Sequence, residues 1–306
     1  MKFKSIYISI VVAAAILFAG SVFAQMRVGQ SSDAKVISDA KVIKPAVDVK
    51  KTVESSSRFA SAALDNARIR TSMQWSFGRP QTGWEIYTSL IAKTIGTEQN
   101  FDTPEFAMAV SKWQSNNGIQ PTGVVDDPTF SAFVKEWQSQ RLKGWSYPEL
   151  SLLYDAPITD FYDATRDPEL LKLDAATYIA YKKMVMAAAK DLKGVLKVSS
   201  NGDLAPEEKM LRIVSGFRSR EYQAELRRRE PGAGRAALAV NSPHASGHAI
   251  DLYVGGKPVS TKDENRLVQV QTPVYKWLVK NANRFGFYNY FYEPWHWEYV
   301  PSEQAK

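Results

Sequence analysis

Residues 242–251 read SPHASGHAID and residues 293–299 read EPWHWEY, and these two stretches hold all 3 histidines of the 306-residue chain. Each also carries a carboxylate, Asp251 in the first and Glu293 in the second. HAIDLYV (248–254) alternates as a β-strand does, which puts Ala249, Asp251 and Tyr253 on one face and His248 on the other. Two imidazoles and one carboxylate, from His244, His296 and Asp251, are donors that suit Zn²⁺ and leave a fourth position for water. Glu293 is then spare, and its closeness to His296 in sequence fits a base that takes a proton from a water acidified by the metal. His248, on the opposite strand face, is expected to be a packed or rim residue and not a ligand. Unlike the two histidines of a helical HExxH, these ligands sit on separate segments and depend on the fold to converge.

Around this constellation the elements alternate. DAATYIAYKKMVMAAAKDLKG (174–194) predicts a long helix capped by Asp174 and ended by Gly194. MLRIVSGFRS (210–219) is a short apolar strand running into a turn, and TPVYKWLVKNANRFGF (272–287) is a helix ended by glycine. Helices mixed with short strands predict an α+β fold, a small antiparallel sheet flanked by helices, over 174–306. Trp295 and Trp297 are expected as walls of the site.

Upstream, residues 84–141 carry a helical pattern. EIYTSLIAKTIG ends at a glycine. PEFAMAVSKWQSNNG lines up Phe106, Val110 and Trp113 on one face, and DDPTFSAFVKEWQSQR does the same with Phe130, Phe133, Val134 and Trp137, after Asp126 or Asp127 as cap. Residues 142–173 are proline-broken and aromatic, a connector packed on its neighbours. Residues 25–75, rich in Ser, Lys, Asp and Val and repeating SDAKVI, hold too little apolar surface to offset their ordering entropy and are expected to form a flexible tether, with a short helix near its end.

Residues 1–24 have the layout of a secretory signal peptide: Lys2 and Lys4, an apolar run, then Val22-Phe23-Ala24 as a cleavage pattern. The alternative is an uncleaved anchor, since the run approaches the length that spans a bilayer. The chain has no cysteine, so disulfides, thiol chemistry and lipoprotein attachment are excluded. The sequence is 44% apolar and 12% aromatic, with a net charge of +7, which favours anionic wall polymers or membrane surfaces as neighbours outside the cytoplasm. No compact basic element interleaved with stacking aromatics points to nucleic acid.

Two resemblances complete the reading. AVSKWQSNNGIQPTGVVDDPTFSAF (109–133) resembles the small three-helix peptidoglycan-binding domain, whose repeat runs roughly AVxxFQxxxGLxxTGxxDxxT. SPHASGHAID, EPWHWEY and IVSGFRSREYQ (213–223) are similar, in that family's order, to the SxHxxGxAxD, ExxH and SGYRSxxxQ segments of the zinc D-alanyl-D-alanine carboxypeptidases that include the VanY type. That resemblance implies His244, Asp251 and His296 as zinc ligands, Glu293 as catalytic base and Arg218 as the cation facing the substrate carbonyl. It further implies Ser219, Gln223 and Ser242 as residues lining the substrate cleft. Phe217 replaces the family's tyrosine, and inserts at 198–209 and 227–241 are peculiar to this chain. The expectation is a secreted enzyme, periplasmic or associated with the cell wall, with Zn²⁺ as cofactor, peptidoglycan peptides as substrate and no stable membrane insertion once the leader is cut. Carboxypeptidase action, endopeptidase action on cross-links and a non-catalytic wall-binding role remain the alternatives.

Overall fold

Gly96 adopts the left-handed conformation that closes the helix α2 (Thr88–Ile95). The computed structural model describes residues 49–229, 231 and 242–304, all within one unit, Val47–Lys306. The leader at 1–24, the tether up to residue 48 and most of the 227–241 insert lie outside the described residues. In α3 (Pro104–Asn116) the Thr103 hydroxyl accepts from the Phe106 amide, and in α4 (Asp127–Ser139) Asp126 accepts from Thr129, so Asp126 is the cap. Proline sits in the first turn of both, where its missing N–H costs nothing. Phe106, Val110, Phe130 and Phe133 are buried together with Trp84 and Ile91, and the Trp113 ring lies 4.2 Å from that of Phe133.

Ahead of these helices, the stretch expected to be a tether through residue 75 is ordered from Val49 onward. It forms α1 (Val49–Ile69) and then a hairpin of β1 (Gln74–Phe77) and β2 (Arg79–Thr82). Low hydropathy misleads here because α1 packs through small residues. Ala62 and Ala63 are buried, α1 lies against α3, and the buried Asn66 amide bonds the Gly123 carbonyl at 2.9 Å and the Val125 amide at 2.8 Å. No helix among the described residues is long and apolar enough to cross a membrane.

The connector holds 3₁₀ turns and one short ladder, β3 (Tyr154–Asp155) with β4 (Lys172–Leu173). It leads into α5 (Ala175–Asp191), whose Asp174 cap accepts from Thr177. The C-terminal region is built on a four-stranded antiparallel sheet in the order β5 (Ile213–Ser215), β6 (Ala249–Leu252), β8 (His296–Tyr299), β7 (Phe287–Asn289). Helices α6 (Arg220–Arg229), α7 (Asp263–Gln271) and α8 (Pro273–Asn281) accompany it, giving mixed helices and small antiparallel sheets, an α+β arrangement.

The two halves share one apolar core. Phe291 meets Tyr87 and Trp137 at ring distances of 5.6 and 5.8 Å. The fully buried Arg266 donates to the Tyr87 hydroxyl, the Gln81 amide oxygen and the Tyr292 carbonyl, fixing helix α7 to the N-terminal half.

Candidate metal centre

The register of the sheet assembles the site. Ser215 pairs with Asp251 across β5 and β6, and Asp251 pairs with His296 across β6 and β8, so the three residues form a row across the strands. His244 comes from the 3₁₀ turn Pro243–Ser246, just before β6. Gly247 then turns the chain into the strand at φ +78°, where an added Cβ would stand 2.6 Å from the Asp174 amide nitrogen. Gly216 follows β5 in similarly tight quarters, 2.9 Å from the Lys172 carbonyl oxygen, and its own carbonyl faces His244 Nδ1 at 2.7 Å.

Three donor atoms converge. His244 Nε2 and His296 Nδ1 lie 3.2 Å apart, and Asp251 Oδ1 is 3.2 Å from the first and 2.9 Å from the second. All three residues are buried and together can hold a metal ion. A tetrahedral zinc with bonds of about 2.0–2.1 Å would separate neighbouring donors by about 3.3 Å, so the spacing fits. The outer nitrogens fix the tautomers that ligation needs. His244 Nδ1–H donates to the Gly216 carbonyl, and His296 Nε2–H donates to Glu298 Oε1 at 3.2 Å, leaving the converging nitrogens as lone-pair donors.

Electrostatics agree with a cation-shaped gap. Burial, aided by the Arg218 charge, pushes His244 down to about 4 and keeps it neutral. Burial would lower His296 too, yet its hydrogen bonds to Asp251 and Glu298 hold it up at about 9. Burial opposes ionisation of Asp251, but the Arg218 charge and the hydrogen bond from His296 hold its carboxyl well below the usual range. Without a metal, the proton on His296 Nδ1 supplies the positive charge that sits between the donors. Glu293 differs: burial pushes it up to about 8, and among the described residues its carboxyl takes no hydrogen bond or ion pair. A divalent cation nearby would draw that value down again.

Arg218 lies next to the carboxylate of the donor set. Its Nη2 donates to Asp251 Oδ2 at 2.5 Å and its Nε to the Ser215 hydroxyl at 2.9 Å, while Nη1 has no partner among the described residues. Asp251 is thereby held with one oxygen on Arg218 and the other toward the histidines. The Arg218 amide also donates to the His244 carbonyl, tying the two motif segments together. Ser219 sits at the start of α6, its hydroxyl accepting from the Tyr222 amide, and Gln223 and Ser242 are buried nearby in sequence to Arg218 and His244. Phe217 is buried, so the position that departs from the family motif serves as core. His248 is outside the donor set. It is half-buried, with its ring stacked on Tyr299 and Nε2 3.8 Å from Asp174 Oδ1. Trp297 is not a wall of the site: next to His296 on β8, it faces the other side and packs on Tyr275, while Trp295 is buried just ahead of the strand.

Three polar residues around the site were given no role by the motifs. Glu298 accepts from His296. Arg141, from the end of the helical half, donates through Nε to Glu298 Oε1 at 2.9 Å and also through Nη2. Arg166 in the connector donates to the Val214 carbonyl at 2.8 Å and so pins β5. Glu298 was readable, since it lies two residues beyond His296 and shares its strand face; the two arginines carry no local signal.

Residues 171–302 match the family model described as VanY: D-alanyl-D-alanine carboxypeptidase. The match spans α5, the whole four-stranded sheet and every residue of the donor set, and it begins downstream of Arg141 and Arg166. No curated protein matches the chain.

Proposed function

We propose that the region 174–306 is a zinc-dependent peptidase acting on the stem peptides of bacterial peptidoglycan, with D-alanyl-D-alanine carboxypeptidase action as the leading reading. The observation that carries it is the convergence of His244 Nε2, His296 Nδ1 and Asp251 Oδ1 within 3.2 Å of one another, close to a buried Glu293 whose carboxyl has no partner among the described residues. A structural zinc site closes its shell with four protein ligands, whereas a catalytic one takes three and keeps a position open. When bound, zinc supplies Lewis acidity and acidifies water. Glu293 then takes a proton from the attacking water and returns it to the leaving amine. Arg218 keeps Asp251 in place through Nη2, and its Nη1 is left to face the carbonyl oxygen as negative charge develops there. Ser219, Gln223 and Ser242 line the cleft that receives the peptide.

The family match at 171–302 supports cell-wall peptides as the substrate class, and the signal-peptide layout of 1–24 supports action outside the cytoplasm, in the periplasm or at the wall. The helical region 84–141 is read as a wall-binding element, on its resemblance alone. It would raise the local concentration of substrate without touching the chemistry.

Endopeptidase cleavage of cross-links is the rival within the enzyme class, and a non-catalytic wall-binding role is the rival outside it. The retained Glu293, a buried carboxyl with no partner among the described residues, speaks against the second. Metal analysis of the purified chain, followed by mass spectrometry of muropeptides incubated with it, tests all three. Loss of one terminal D-Ala supports the carboxypeptidase, separation of cross-linked dimers the endopeptidase, and unchanged muropeptides with bound wall material the binding protein.

A further inference from the structure

Glu298 is completely buried, and four donors surround its carboxylate: His296 Nε2, Arg141 Nε, Arg141 Nη2 and the Leu142 amide, the last at 3.0 Å from Oε2. Two of the donor groups, the Arg141 guanidinium and the Leu142 amide, belong to the segment that leaves α4, far from the sheet in sequence and upstream of the matched region 171–302. Arg141 is itself held in place, with its guanidinium 4.2 Å from the centre of the Tyr290 ring, whose edge meets His296 at 5.9 Å. A buried carboxylate keeps its charge only when charged or N–H donors compensate for lost water. Here the compensation comes from the helical half, and the charge so maintained is delivered to the outer nitrogen of a ligand histidine. Partners of this kind fix the ring and tautomer of a ligating histidine and raise its basicity.

We propose that Arg141 and Glu298 are positioning residues of the metal centre, so that the segment joining the helical half to the rest of the chain is a working part of that centre and not merely a tether to the wall. The proposal rests on the metal reading given above. A purely structural role for the pair, docking one half on the other, would alter stability while leaving metal affinity alone. The two can therefore be separated.

The test uses the full chain with zinc as the probe. Zinc affinity is measured by competition with a chromophoric chelator for the wild type, Glu298→Gln, Arg141→Gln, Arg141→Lys and the double variant Arg141→Gln/Glu298→Gln, alongside the thermal stability of each metal-free form. Glu298→Gln, which preserves shape and removes charge, is expected to weaken zinc binding about 10–100-fold. Arg141→Gln should weaken it in the same direction. Arg141→Lys should recover part of the loss, because it restores the charge without the planar fork. Since Arg141 acts through the carboxylate, the double variant should bind zinc no more weakly than Glu298→Gln alone. Cobalt substituted for zinc should show an altered visible spectrum in Glu298→Gln. Folded single variants that bind zinc as tightly as the wild type, or losses that simply add in the double variant, would overturn the proposal. If Arg141→Gln does not fold, the isosteric Glu298→Gln decides alone. A wild-type chain that takes up no zinc, or a His244→Ala chain that binds it equally well, would instead defeat the metal reading and the proposal with it.

Discussion

In the helical half, the buried polar side chains Asn66 and Gln114 are neutral amides with both ends matched. Gln114 donates to the Thr129 hydroxyl at 2.8 Å and the Val124 carbonyl at 3.0 Å, and accepts from the Gly123 amide at 2.8 Å. Together with Asn66 it grips the loop through Gly123–Val125. The sheet half buries charge: Arg218, Asp251, His296 and Glu298 are all nearly inaccessible, as are the neutral His244 and Glu293, the latter held up at about 8 by burial. Amides whose partners are complete make a loop rigid and ask for nothing more. A gathering of charged groups and lone pairs is stable only with a cation in its midst, here either a proton on His296 or a metal. Burial of polar groups in itself therefore says little about function; the informative feature is whether their partners within the chain complete them.

The sharpest way to break this contrast is to delete a donor. His244→Ala and His296→Ala should abolish metal retention through gel filtration, while His248→Ala, which lies outside the donor set, should retain the wild-type metal content. Equal loss in all three would mean that the converging atoms are not the binding site. Next in size is Glu293→Gln. It should keep its metal and its fold yet lose turnover by ~10²–10⁴-fold, the usual contribution of a general base. Near wild-type hydrolysis by that variant would remove Glu293 from the chemistry.

Protons offer a subtler probe. His296 is held at about 9 in the metal-free chain, whereas His244 sits near 4 and Asp251 well below its ordinary value. Between pH 6 and 8, metal uptake thus has one proton to displace from the donor set, that of His296, while the cation also draws off the proton that burial keeps on Glu293 up to about 8. Metal competes with the first and lowers the value of the second, so apparent zinc affinity should rise with pH by roughly tenfold per unit or more, and level off as pH passes the His296 value. Chelator competition at three pH values reads this slope. A flat profile across that range would show that His296 carries no proton where the metal binds.

Much of this site was legible because sheet register obeys simple parity. The alternation of HAIDLYV separates His248 from Asp251, and the structure sets His248 apart on Tyr299 while Asp251 stands opposite His296. The caps at Thr103, Asp126 and Asp174 were equally local signals, and they bound α3, α4 and α5. Parity applied to 296–299 also places Glu298 beside His296. What hydropathy hides is α1, which packs through alanines and one amide, and what no local pattern can contain is Arg141, whose partner lies 157 residues away. Trp297 shows the converse: an aromatic residue next to a ligand looks like a site wall in sequence, but the strand turns it into the core.

The smallest effect on the metal centre is expected from Gln114→Ala, and its value is as a control on the contrast itself. Removing this side chain leaves the Gly123 amide, the Val124 carbonyl and the Thr129 hydroxyl without their buried partner. Each unsatisfied group costs part of its desolvation, and water admitted to the gap would offset some of it, so a net loss of about 1–3 kcal/mol in folding stability is expected. Among the described residues no hydrogen bond links that amide to the charged cluster around Asp251, and the loop it holds is bonded to α1 through Asn66 and to α3 through Ser111. Zinc affinity of the folded variant should therefore equal that of the wild type, while its denaturant midpoint falls. If Gln114→Ala instead weakens zinc binding as much as a change at Glu298 does, the helical half is coupled to the centre through its whole core, and the division between completed amides and a cation-requiring cluster does not hold.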